Sequence, residues 1–92
     1  MADMLADAVK RARADLAKRL GVAENKIKED SVERAEFPDA SLGAGTSGEM
    51  SAQMISNGHR IRLSYDDAGY EYRTSGTTLR LYNFNGENHK VK

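Results

Sequence analysis

Between Ala2 and Leu20 the large apolar side chains and one alanine fall at Leu5, Val9, Ala12, Leu16 and Leu20, at spacings of 4, 3, 4 and 4. That is the 3.6-residue period, and it predicts a helix over about residues 2–20 with one apolar stripe. Asp3 and Asp7 at one end and Lys18 and Arg19 at the other suit the helix dipole. Asp7 with Arg11, and Asp15 with Arg19, are acid-before-base pairs four residues apart, expected on the outer surface. Gly21 follows the last periodic residue as a cap, with Val22 placed to close it by an apolar contact.

Beyond the cap the period becomes two. Residues 27–37 read as one strand whose alternation breaks near Val32, as at a bulge. Pro38 ends it, because proline supplies no amide donor. Residues 38–50 form a Gly/Ser/Ala-rich loop, long for so small a chain, with Leu42 its one large apolar residue before Met50. A short strand over 51–56 comes next, then Asn57-Gly58, the strongest two-residue hairpin signal in the sequence. Residues 59–66 alternate, with Ile61, Leu63 and Tyr65 on one face and Arg60, Arg62 and Ser64 on the other. With Asp66–Gly69 as the turn, Tyr65 should face Tyr70, and Arg62 should face Arg73. Strands over 70–74 and 79–84 complete a meander, and the polar tail from Asn85 to Lys92 should fray.

This order of elements predicts an α+β domain occupying residues 1–92: one N-terminal helix packed on a curved antiparallel β-meander of four to five strands. The architecture resembles the cystatin-type arrangement, as an analogy of shape alone. The expected core is Leu16, Leu20, Ile61, Leu63, Tyr72 and Leu81. Ninety-two residues allow one small domain. Fourteen basic and fourteen acidic side chains cancel, so bulk charge offers no pull toward nucleic acid or an anionic membrane. The absence of cysteine excludes disulfides, thiolate metal sites and cysteine nucleophiles. The longest apolar run is Met4-Leu5-Ala6, which spans no membrane. The opening Met1-Ala2-Asp3 carries no signal pattern, which places the chain as it stands in the cytoplasm, or among exported proteins if a signal has been removed.

Candidate chemistry is sparse. Gly43-Ala44-Gly45-Thr46-Ser47-Gly48 spells G-x-G-x-x-G, yet the motif holds a pyrophosphate only between a strand and a helix, and here a strand is expected next. His59 and His89 lack partners at metal-ligand spacing, so no metal and no cofactor is expected. An enzyme would have to draw on Ser41, His59 and nearby acids, which no spacing links. The outer face of the meander gathers Arg60, Arg62, Arg73 and Arg80 around Glu71, a set able to hold a phosphate or carboxylate. Of the aromatic residues, Tyr82 alone is expected on that face, too few for a nucleic-acid platform.

Four stretches carry a family resemblance: Phe37-Pro38-Asp39-Ala40-Ser41-Leu42-Gly43, Gly48-Glu49-Met50-Ser51-Ala52-Gln53, Gly58-His59-Arg60-Ile61-Arg62-Leu63 and Tyr70-Glu71-Tyr72-Arg73-Thr74. Together, and with the helix ending Asp15–Val22, they resemble a group of small uncharacterised prokaryotic domains, often found in exported proteins. Those domains show, loosely, an aromatic-P-D-x-C-L-G, G-x-x-C-x-Q, P-G-[YW]-x-[VI]-x-L, Y-x-Y-[HR]-T-D pattern. This chain has Ser41 and Ser51 where they tend to have cysteines, Phe37 for tryptophan, Asn57 for proline and His59 for an aromatic. The resemblance implies a fold and a structured loop, and no known activity. If the two family cysteines form a disulfide, it is lost here, as suits a reducing compartment or a branch that never needed the bridge. Ser41 and Ser51 would then lie at disulfide distance, and Ser41→Ala and Ser51→Ala would be nearly silent.

The resulting expectation is a non-enzymatic protein-binding module, monomeric or weakly dimeric. It would act through the loop residues Asp39, Leu42, Gly43, Gly45 and Gly48, or through the arginine face. An exposed-loop protease inhibitor and an anionic-ligand-binding domain are the alternatives. Three glycines predict that residues 43–48 are the most mobile internal segment, which argues against a rigid inhibitory loop.

Overall fold

The computed structural model describes residues 4–46, 48–50 and 53–91. Helix α1 (Met4–Leu20) leads through a single 3-10 turn (Glu24–Lys26) into five strands: β1 (Lys28–Phe37), β2 (Ser56–Tyr65), β3 (Ala68–Ser75), β4 (Thr78–Phe84) and β5 (Glu87–Lys90). The strands lie in chain order in one open sheet, and each neighbouring pair is antiparallel. The fold is α+β, one helix on an antiparallel sheet.

Alternation along the strands gives the sheet two distinct faces. Ile61 and Leu63 of β2, Tyr72 of β3, and Leu79 and Leu81 of β4 point to α1 and bury against it with Ile27. From the helix, Ala8, Ala12, Leu16 and Ala17 complete this core. Alanines at 8 and 12 let the backbone of α1 approach the sheet, and Leu16 adds the bulk that fills the layer between them. Leu20, Val9 and Val22 are only partly buried at its margin, so the buried row runs beside the leucine stripe that the periodicity picks out, and Leu20 is not a central core residue. The Gly21 cap forms as expected, with the Val22 amide donating to the Ala17 carbonyl (3.0 Å).

Tyr72 is the largest buried side chain, and its hydroxyl donates to Asp15 Oδ2 at 2.7 Å. Arg19 Nε donates to the same oxygen, also at 2.7 Å. Asp15 is therefore the polar bolt between helix and sheet, as well as half of a surface ion pair. Burial, and then the Asp15 carboxylate, push the Tyr72 hydroxyl far above the usual tyrosine range. Arg11 does not fasten to Asp7; its guanidinium reaches across to the carbonyls of Thr77 and Val91 (3.4 Å each).

Several sequence expectations are corrected by the pairing. Asn57-Gly58 is no turn but lies within β2, opposite Glu36 and Ala35. Ser51 and Ala52 lie outside the described residues, and 53–55 carry no strand. The bulge falls between Glu29 and Ser31 rather than at Val32. The β2–β3 turn is only Asp66-Asp67, both at positive φ (51° and 68°), so Tyr65 faces Ala68 and Arg60 faces Arg73. The register moves by two residues, which keeps every side chain on its predicted face. The described part of the tail does not fray: Asn85-Gly86 turns the chain into β5, which pairs with β4, and Lys92 lies outside the described residues. Asn83 at φ 54° interrupts that ladder, and beyond it Phe84 packs with Tyr70 and under Arg19.

Candidate functional site

The second face of the sheet carries Arg60 and Arg62 from β2, Glu71 and Arg73 from β3, and Arg80 and Tyr82 from β4. The loop of residues 38–50 lies down on this face as a strap. The two regions singled out in the sequence, loop and arginine face, are therefore one structure.

Pro38 ends β1, and Asp39 organises the turn after it. Asp39 Oδ1 accepts from the Ser41 hydroxyl (2.7 Å) and from the amides of Ser41 and Gly43 (3.0 Å each). Those bonds hold the Asp39 carboxyl below its ordinary range, the Ser41 hydroxyl contributing most. The tight turn brings Ser41, Leu42 and Ala44 inward to full burial beside Phe37. Leu42 takes a positive φ of 63° to do so. Gly43 follows at φ 67°, and a Cβ there would lie 2.8 Å from Arg73 Nη1. Glycine is required on both counts. Ser41 is a buried donor to Asp39 rather than an idle replacement for cysteine, so Ser41→Ala is expected to cost stability by removing a charge-assisted bond. Ser47 and Ser51 lie outside the described residues, and with them any distance from Ser41 to Ser51.

Arg73 ties the sheet to the strap. Its Nε donates to Glu71 Oε2 (2.7 Å) and its Nη1 to the Leu42 carbonyl (2.9 Å). Its guanidinium lies 3.7 Å from the Tyr82 ring centroid and 5.5 Å from that of Phe37. Tyr82 is thus a stacking floor for arginine. Arg80 is engaged as well. Its two terminal nitrogens donate to the two carboxylate oxygens of Glu49, a fork-on-fork pair. Glu49 Oε1 also accepts from the Thr46 amide (3.1 Å), and Lys90 Nζ stands 3.6 Å from Oε2. The Arg80 bonds first, then the Thr46 amide, hold the Glu49 carboxyl down to about 2. Asn88 of β5 donates to the Gly45 carbonyl (2.9 Å). Gly45 and Gly48 lie exposed on the outside of the strap.

Arg60 and Arg62 meet this network only through looser ion pairs with Glu71. Arg60 Nε is 3.9 Å and Arg62 Nη2 3.8 Å from Glu71, beyond hydrogen-bond range, and Arg60 Nε is buried without a hydrogen-bond partner. The four predicted arginines therefore divide into two that hold the strap and two that do not. His59, next to Arg60 on β2, points to the opposite face of the sheet, in an open groove of about 550 Å³ with Arg34, Asn57, Gly58 and Ser75. It is not brought to Ser41.

Glu49 is the residue that sequence reasoning missed. The signal was present: Thr46-x-x-Glu49 has the spacing at which a hydroxyl residue and a glutamate bond reciprocally, and Glu49 alone among the strap's acids comes after the glycines. Beyond Glu49, Met50, Met54 and Ile55 present large apolar side chains to solvent.

Helix, sheet and arginine-anchored strap define a small layered α+β domain. Residues 9–81 match the family described as Domain of unknown function (DUF8738), and the chain belongs to it. No curated protein and no solved structure matches the chain.

Proposed function

We propose that the domain is a non-enzymatic protein-binding module whose contact surface is the outer side of the strap and its return to β2. One observation carries this reading: Met50, Met54 and Ile55 are 97%, 59% and 67% exposed, while Phe37 and Leu42 of the same stretch are buried. Scattered single hydrophobic residues on a surface need no explanation, but three within six residues beside a braced loop suit a contact patch. The strap also favours this reading over protease inhibition. An inhibitory loop must stand off its scaffold in extended form, whereas this one turns Ser41, Leu42 and Ala44 inward. The buried, bonded Ser41 hydroxyl suits a structural part better than a nucleophile.

The test is photo-crosslinking in native cell extract from a reactive side chain at position 54, with position 18 on the exposed face of α1 as control. A discrete adduct from 54 alone, weakened by Met50→Ser with Ile55→Ser, is expected. Matching adduct patterns from 54 and 18 would remove the proposal.

A further inference from the structure

The strap's Glu49 is taken up by Arg80 and Lys90, which leaves Arg60 and Arg62 facing Glu71 alone at ion-pair distance, with Asp30 lining the same hollow as Arg62. The two arginines share a face two positions apart on β2, and both guanidiniums approach one carboxylate, that of Glu71, from different sides. Glu71 has already given its short bond to Arg73. Three guanidiniums thus surround one carboxylate, and only one of them is bonded to it. Among the described residues no hydrogen bond engages the terminal nitrogens of Arg60 or Arg62, and their side chains are 39% and 53% exposed. Arg60 Nε is closed to solvent and has no hydrogen-bond partner, although the side chain as a whole reaches water. In register across β1, Ser31 stands opposite Arg62 and Glu33 opposite Arg60. Among the described residues Glu33 makes no ion pair with Arg60 within 4 Å, so it tempers the local field without filling the arginine.

We infer that Arg60 and Arg62 form a seat for an external oxyanion, a carboxylate or phosphate that bridges the two guanidiniums above Glu71. The strap itself displays the recognition chemistry on the same face, where the Glu49 carboxylate occupies Arg80 by two parallel bonds. Arg60 and Arg62 offer the same fork donors with no such occupant. The seat is built from side chains of β2 and β3 and uses none of Met50, Met54 and Ile55, so it does not depend on the protein-contact reading.

The experiment is an NMR titration of the intact chain, following arginine Nε–H and backbone amide signals at constant ionic strength. One arm adds inorganic phosphate and the other a capped glutamate amide, which separates a phosphate seat from a carboxylate seat. Saturating shifts centred on Arg60, Arg62 and Glu71 in either arm are expected. Arg62→Gln should weaken binding about tenfold, the loss of one charge-assisted bidentate contact. Arg34→Gln, equally exposed on β1, should leave it unchanged, and Glu33→Gln should tighten it. Arg62 is exposed and holds no packing contact in the core, so its variant keeps the fold, which the undisturbed Leu63 and Tyr72 signals verify. Shifts that stay linear in both arms, or that respond equally to Arg34→Gln and Arg62→Gln, would overturn the inference.

Discussion

Asp15 shows how much one side chain can hold when two layers meet at it. A tyrosine buried as deeply as Tyr72 needs a partner for its hydroxyl, and Asp15 is that partner while also holding Arg19. Asp15→Ala leaves the hydroxyl buried and unpaired, and should cost about 1–3 kcal/mol in denaturant unfolding. Tyr72→Phe removes donor and need together and should cost less. The reverse ranking would mean that the bond does not join helix to sheet. Ser41→Ala should cost on the order of 1 kcal/mol, because Asp39 loses a bond made inside the strap. A change indistinguishable from zero would return Ser41 to the inert role that the family resemblance alone assigns it. Such roles are hard to read from sequence. The spacing of Asp15 and Arg19 is that of any surface pair, and only the position of Tyr72 on a distant strand makes the carboxylate a bolt.

Within single elements the sequence is far more legible, because periodicity is local. The helix, its cap, and the facing of Ile61, Leu63, Tyr72, Leu79 and Leu81 all come from spacing. What fails is punctuation. Asn57-Gly58 has the chemistry of a two-residue turn, yet β2 runs straight through it, because residues 38–55 already make the connection from β1. Gly58 answers a different need: a Cβ there would lie 1.9 Å from the Thr74 carbonyl oxygen. Gly58→Ala must therefore move backbone, and a loss of more than about 2 kcal/mol is expected, or failure to fold. The Asp66–Gly69 turn is placed correctly but read two residues too long, because aspartate adopts positive φ without announcing it as glycine does, and Gly69 lies within β3.

The strap is an element too, and its charge latch has a defined pH response. The Glu49 carboxyl is held near 2, below the ordinary 4.5, so the folded protein binds that proton less readily than the unfolded chain does. Its contribution is complete above about pH 4.5 and is lost as pH falls toward 2. Wild type should therefore exceed Glu49→Gln in stability at neutral pH, and the gap should close across that interval in unfolding midpoints. A gap that persists unchanged at pH 2 would show that the stabilisation is not the ionised pair.

At the scale of the whole molecule, the sheet is filled from both sides, by α1 on one face and by the strap on the other. Leu63 lies under the helix, and Leu63→Ala should cost about 2–4 kcal/mol by calorimetry or denaturant titration. A cost under about 1 kcal/mol would place it on the wrong face. Sequence reasoning reached the first packing and missed the second. Apolar periodicity marks a helix–sheet core, whereas the strap is fastened mainly by guanidiniums, carbonyls and one carboxylate, which leave no period in the chain. The glycines that suggested slackness do something else at Gly43, where the missing side chain makes room for Arg73.

The anchoring of the strap also orders events in time. Its fastening points belong to β3, β4 and β5, and the Glu49–Arg80 pair joins residues 31 apart in sequence. Strands β2 to β5 follow one another through short turns, but the Glu49 latch of the strap has no anchor until β4 is in place. It should dock after the main folding barrier. Weakening the latch, as in Glu49→Gln, would then speed unfolding while leaving the refolding rate almost untouched. The strap amides would exchange with deuterium ahead of those in β2 and β3, releasing as a unit while the helix–sheet core stays closed.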